Sequence, residues 1–269
     1  MIVLKFLYTR LQSRILTWLF WVLVWLALGL VFANLFDSLS QEAQETEKLI
    51  TNLPAALRGT FNIDTGYLTQ VEKFLSGQFL TVYTLIGTIF ALIQGVYEIG
   101  GKVEDRTISN YLTKNISRTE LYLSQFFANL VFFVTSSGVV WGLVYGFFRI
   151  FSDQSEISIE YFLATFLMTS ALFVTTAGAG QLLGILFPKN IAQLGGIGVL
   201  VFSWFLNSLS SIGGFPEWLK PFSPFYYLNV LKLRDEFAVD WSRFGVLMSV
   251  YVACLVVGIL VFRKKDLYL

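Results

Sequence analysis

The chain reads as an all-α, polytopic membrane protein of six spanning helices with both ends in the cytoplasm, and three observations predict this. Hydrophobic residues make up 55% of the 269, aromatic residues 17% and charged residues only 14%, with a mean hydropathy of +0.66, far from the balance of a soluble domain. The apolar residues gather into runs long enough to cross about 30 Å of hydrocarbon, which takes about 20 helical residues. Lys and Arg are concentrated in alternate connectors. One transmembrane domain, 1–269, accounts for the whole length.

Taken in order, residues 1–14 place Lys5, Arg10 and Arg14 among apolar residues, a basic amphipathic segment suited to the cytoplasmic headgroup level. The run from Ile15 to Phe36 is too long for the apolar core of a signal peptide and lacks a small-x-small cleavage site, so it is read as a retained first span. Residues 37–77 are polar and mainly acidic and form the large external loop. In it, Asn52-Leu53-Pro54 suits a helix start and Asp64-Thr65-Gly66 a turn.

The second span is expected over Gln78 to Tyr97, followed by a polar cytoplasmic segment, 98–120. Ser117-x-x-Glu120 fits a capping box opening the third span, about Leu121 to Phe148. Gly138, Gly142 and Gly146 recur every fourth residue there, a stripe suited to close helix packing. The fourth span is expected over Tyr161 to Phe187 and the fifth over Ile191 to Ile212, separated by a break at Pro188-Lys189-Asn190. Residues 213–243 hold Pro216, Pro221 and Pro224, which prevent one continuous helix. Short external or re-entrant helices anchored by Trp218, Tyr226, Tyr227 and Trp241 are expected before a sixth span, Phe244 to Phe262. With this topology the inside segments hold eleven basic residues against five acidic, and the outside eight against thirteen.

Composition also excludes chemistry. With no histidine and one cysteine, Cys254, there is no Ser/His dyad, no His-ligated metal and no thiolate cluster. Cys254 lies in an apolar run and reads as packing. The predicted span interiors contain no Asp, Glu, Lys or Arg, each of which costs about 2.5 to 3.5 kcal/mol at a helix centre, and this argues against a proton relay. An intramembrane Ser/Lys hydrolase is set aside because no Lys falls inside a predicted span. The uncharged polar residues of the spans are expected to bond to their own helix or a neighbour. Gly95 to Lys102 (GVYEIGGK) misses the register of a phosphate-binding loop, with Val103 where a magnesium-binding hydroxyl belongs. If ATP drives this protein, another polypeptide binds it. The net charge of +1 gives no sign of nucleic-acid binding.

Between the second and third spans, Glu104-Asp105-Arg106-Thr107-Ile108, Leu112 and Ile116-Ser117-Arg118 resemble the E-x-G-T-hydrophobic, Leu-Leu, Pro-hydrophobic-Ser-Arg pattern of ABC-2-type ABC transporter permeases. LPAALRGTFNID at Leu53 to Asp64, SPFYYL at Ser223 to Leu228 and FRKKDL at Phe262 to Leu267 resemble other segments of that family, so the likeness covers nearly the whole chain. Arg106 replaces the family's small residue, Asn115-Ile116 its Pro-hydrophobic pair, and Gln125 its usual basic residue.

The resemblance implies the transmembrane subunit of an ABC exporter in the cell membrane of a bacterium or archaeon. It further implies a partner permease, either a second copy or a similar chain, and two cytoplasmic ABC ATPase subunits that bind the ATP and Mg. This chain itself would then carry no cofactor and no catalytic residue. The segment matching 98–120 would contain the coupling helix that docks on the ATPase. Within it Glu104, Asp105, Arg106 and Thr107 offer polar registration, Ile108, Tyr111 and Leu112 at i, i+3 and i+4 a small apolar face, and Ser117 and Arg118 the entry to the third span. A membrane scaffold without transport is the alternative.

Overall fold

A computed structural model of the chain describes residues 2–41, 70–105, 107, 117–151, 157–209 and 217–265. Among them six helices are long and apolar enough to cross a membrane. The short helix α1 (Ile2–Ser13) leads through Arg14 into α2 (Ile15–Gln41). Next come α3 (Val71–Glu104), α4 (Arg118–Phe151), α5 (Ile159–Leu186) and α6 (Lys189–Leu209). Two 3-10 turns, Glu217–Phe222 and Pro224–Leu228, and a short helix α7 (Val230–Glu236) precede α8 (Trp241–Lys264).

Each span expected from sequence is present, and several run past the apolar runs that announced them. The largest difference is α3, which begins at Val71, inside the predicted external loop, and continues to Glu104, through residues expected to lie beyond the membrane. Apolar count underestimates it because its ends carry polar residues that other helices cover. Two π-helical turns, Leu75–Phe79 and Tyr97–Gly101, interrupt its α-helical geometry. Such turns add a residue and concentrate at functional positions.

The bundle is built around α3 and α5. In its most apolar stretch α5 is 78% buried and α3 61%, against 22% for α2 and α8, so the pair forms the centre and the others wrap it. Close approach is set by glycines on both helices. A Cβ on Gly95 would stand 2.1 Å from the Ala177 carbonyl oxygen, one on Gly180 2.5 Å from that of Leu92, and one on Gly184 2.6 Å from that of Val96. Backbone therefore meets backbone, which any side chain would prevent. The stripe singled out in sequence does not do this within the chain. Gly138 faces only the Phe166 ring, and nothing lies within 4 Å of a Cβ at Gly142 or Gly146. Four-residue spacing finds a shared helix face but not which face meets a neighbour.

An aromatic core fills the centre. Trp25 of α2 stands edge-on to Phe79 and Tyr83 of α3, and Trp141 of α4 does the same from the other side, with ring centroids 4.8 to 5.9 Å apart. Polar tips are satisfied across helices: Tyr83 donates to Ser137 Oγ at 3.0 Å and Trp141 Nε1 to Thr169 Oγ1 at 3.2 Å. Thr81, Thr84, Thr88, Thr165 and Thr176 donate to carbonyls one turn back in their own helices, as expected for uncharged span residues. Cys254 is buried, and its carbonyl accepts from the Tyr122 hydroxyl.

At the end of the bundle away from α1, Pro221 and Pro224 confine the chain to 3-10 turns. SPFYYL packs inward through Phe225 and Leu228, and Ser223 Oγ donates to the Ser203 carbonyl at 2.9 Å. Trp218 and Trp241 stay exposed. Asn229 turns the chain in a left-handed conformation, φ 47°, which Asn tolerates well. Asp240 caps α8 by accepting from the Arg243 backbone N–H at 3.2 Å. Hydrogen bonds from Asn229 and from that N–H hold its carboxyl below its usual pKa, against a burial effect that acts the other way.

Candidate functional site: an ionic cluster buried at the α1 end

The start of α4, the close of α5 and the end of α8 meet at one end of the bundle. Arg118, opening α4, donates to the Lys265 carbonyl at 2.6 Å, and Lys265 Nζ reaches the Ile185 carbonyl at the close of α5. Here α1 lies along α4, beside the far end of α3. The helical path breaks at Arg14, whose side chain is thereby aimed into the bundle.

Arg14 forms an ion pair with Glu98, which sits on the second π-turn of α3. Its Nη1 also donates to Asn129 Oδ1 of α4 at 2.8 Å. The other carboxylate oxygen of Glu98 takes Lys102 Nζ at 2.5 Å, one helical turn on. With its amide nitrogen turned toward the carboxylate, as the network requires, Gln125 donates to the same oxygen at 3.2 Å. Glu98 is 3% exposed and Lys102 6%. Burial, with the nearby charge of Arg10, lowers the Arg14 guanidinium to about 10, so it remains charged at neutral pH.

This corrects two expectations. Ionisable residues do lie inside the helix that forms the second span, because α3 continues past Tyr97, its last turns pack against α5 and α6, and Arg14 and Gln125 reach in to Glu98. A lysine, Lys102, is therefore within that helix, with its Nζ bound to the Glu98 carboxylate. The signals were present: Glu98 and Lys102 at i, i+4, Gln125 and Asn129 at i, i+4, and an arginine at the start of an apolar run. A hydropathy window that assigns polar residues to loops hides all three.

The expected coupling residues are partly described. Glu104, Asp105 and Thr107 are exposed where α3 leaves the bundle. Tyr97 donates to Asp105 Oδ2 at 3.3 Å, and Thr107 Oγ1 to the Lys102 carbonyl at 3.4 Å. Glu104 lines a cleft of about 380 Å³ with Val103, Phe187, Pro188, Lys189 and Lys265. Lys189 Nζ lies 5.1 Å from the Tyr97 ring centroid. Ser117 and Glu120 form the expected capping box: the Ser117 N–H donates to Glu120 Oε2 at 2.9 Å and the Glu120 N–H to Ser117 Oγ at 3.2 Å. Arg106, Ile108, Tyr111 and Leu112 lie outside the described residues, as do the predicted features of the large loop at Asn52 to Pro54 and Asp64 to Gly66. Among the described residues no three His, Cys, Asp or Glu side chains gather as metal ligands.

Four apolar helices around a glycine-packed pair, with charge confined to the ends, define a multi-pass α-helical membrane protein. Residues 6–263 match the family described as multidrug efflux system permease Rv1217c, C-terminal domain, and the chain belongs to that family. No curated protein matches it.

Proposed function

We propose that the chain is the membrane-spanning permease subunit of an ATP-driven ABC exporter of the ABC-2 type, in the cell membrane of a bacterium or archaeon. The single observation that carries this reading is the family match over residues 6–263, to permeases described as multidrug efflux systems. The cargo class that follows from that description is drugs of more than one kind. The chain supplies the path and no catalytic group, and ATP is hydrolysed by a separate cytoplasmic subunit, two copies of which serve a pair of permeases.

In this reading the α1 end faces the cytoplasm, in keeping with the basic residues Arg14, Arg118, Lys189, Arg263 and Lys264 near it. The segment after Glu104 docks on the ATPase, with Glu104, Asp105 and Arg106 orienting the encounter and Ile108, Tyr111 and Leu112 anchoring it. Movement of the ATPases is passed into α4 through its capped start at Ser117.

The test is co-expression with a candidate ATPase and co-purification in detergent. The wild-type pair is expected to stay together, and Ile108→Asp with Leu112→Asp to release the ATPase while the permease remains folded. A wild-type chain that never retains an ABC ATPase, or retains it equally with both substitutions, would overturn the reading.

A further inference from the structure

Arg14 is the corner between α1 and α2, and it is bound to two other helices at once. Its guanidinium holds Glu98 on α3 and Asn129 on α4, while Glu98 also holds Lys102. With Gln125 of α4 donating to Glu98 as well, the α1–α2 corner, α3 and α4 converge on one buried carboxylate. A buried ion pair adds little net stability, because the cost of desolvation offsets the attraction. Its stronger effect is on register: the charges are satisfied only when the corner of α1 and α2 stands opposite the second π-turn of α3.

The place of Glu98 gives that register a use. It lies on a π-turn, six residues before Glu104, where α3 leaves the bundle. On the far side of the same turn, a Cβ on Gly100 would stand 2.8 Å from the Gly184 carbonyl oxygen, so the turn is also pressed against α5. A force on the segment after Glu104 reaches this turn first. Apart from the ionic tie, the start of α2 meets α4 through the neutral hydrogen bond from Trp18 to Thr135 and meets α3 through the stacking of Trp21 on Phe90, contacts that can slide.

We propose that Glu98 is a positioning residue that ties the α1–α2 corner to the end of α3, so that displacement of the ATPase-facing segment moves the first span as well as α4. This rests on the reading of that segment as the ATPase contact. The corner and the end of α3 then move as one body through the transport cycle. Neutralising the cluster frees them to move separately while leaving the fold, which rests on the α3–α5 packing, in place.

The experiment uses the permease bound to its ATPase in lipid nanodiscs, with Cys254→Ser and spin labels at Gln12→Cys and Val103→Cys. The distance between labels is measured without nucleotide and after trapping with ATP and vanadate. In the otherwise native chain it should stay constant within about 2 Å, the scale of a rigid helix shift. In the triple variant Arg14→Gln, Glu98→Gln, Lys102→Gln the distribution should shift or broaden beyond that on trapping, with the ATPase still bound and basal hydrolysis retained. Separation of the labels in the native chain would overturn the tie, and this measurement decides alone if the triple variant does not fold. A triple variant that keeps the constant distance would overturn it too. Failure of the native chain to retain the ATPase would instead remove the parent reading, and the tie with it.

Discussion

The two ends of α3 solve one problem differently. Each has a π-turn and, beside it, a buried carboxylate. At the end away from α1, Glu72 is 6% exposed and accepts from the Ser158 backbone N–H at 2.9 Å, next to the Ser76 to Tyr161 hydroxyl contact at 2.9 Å. At the α1 end Glu98 is held by two cations. The first arrangement joins α3 to the start of α5 through a neutral backbone donor. The second draws in a separate helix through charge. The comparison sets an end fixed within the core by a neutral donor against an end that carries a separate helix with it through charge.

Four substitutions sharpen the contrast, from the largest expected effect to the smallest. Glu98→Ala leaves Arg14 and Lys102 buried without their counter-charge and should cost about 3 to 5 kcal/mol, seen as a large fall in thermal midpoint in detergent. Gly95→Ala tests the joint between the ends. It forces a methyl against the Ala177 carbonyl and should cost about 1 to 3 kcal/mol by the same measurement. Glu72→Ala removes one hydrogen bond to a backbone donor, about 1 to 2 kcal/mol. If it proves as damaging as Glu98→Ala, the distinction between the ends collapses.

The smallest effect is one of pH and lies outside the spans. Because the folded-state pKa of Asp240 is depressed, its contribution to stability is present above the unfolded value, about 3.9, and is lost as pH falls through the folded one. Asp240→Asn should therefore lower stability slightly at neutral pH, leave it nearly unchanged in strong acid, and so flatten the acid limb of the stability profile below about pH 4. An unaltered acid limb would show that its hydrogen bonds to Asn229 and Arg243 do not persist in solution.

The spans were legible because twenty-residue apolar runs have few other uses. The capping box at Ser117 was legible because its chemistry is local, complete within four residues. What sequence hid was pairing at a distance. Arg14 and Glu98 are 84 positions apart, and each alone reads as a polar residue marking the end of a span. The glycines show the same limit. Gly142 and Gly146 satisfy a spacing rule yet face open space, Gly180 and Gly184 satisfy the same rule and do meet a backbone, and Gly95 meets one with nothing in its apolar run to mark it.

The π-turn at Tyr97–Gly101 also sets an angle. Every residue in an α-helix advances about 100° around the axis, and a π-turn holds one residue more than the α-turn it replaces. Everything after Gly101, Glu104 and Asp105 included, is therefore turned by about one such step from where an uninterrupted helix would aim it. Winding that turn back to α geometry with the sequence unchanged would swing that face by the same step. It would alter the direction in which the chain departs while leaving the composition of the departing segment untouched.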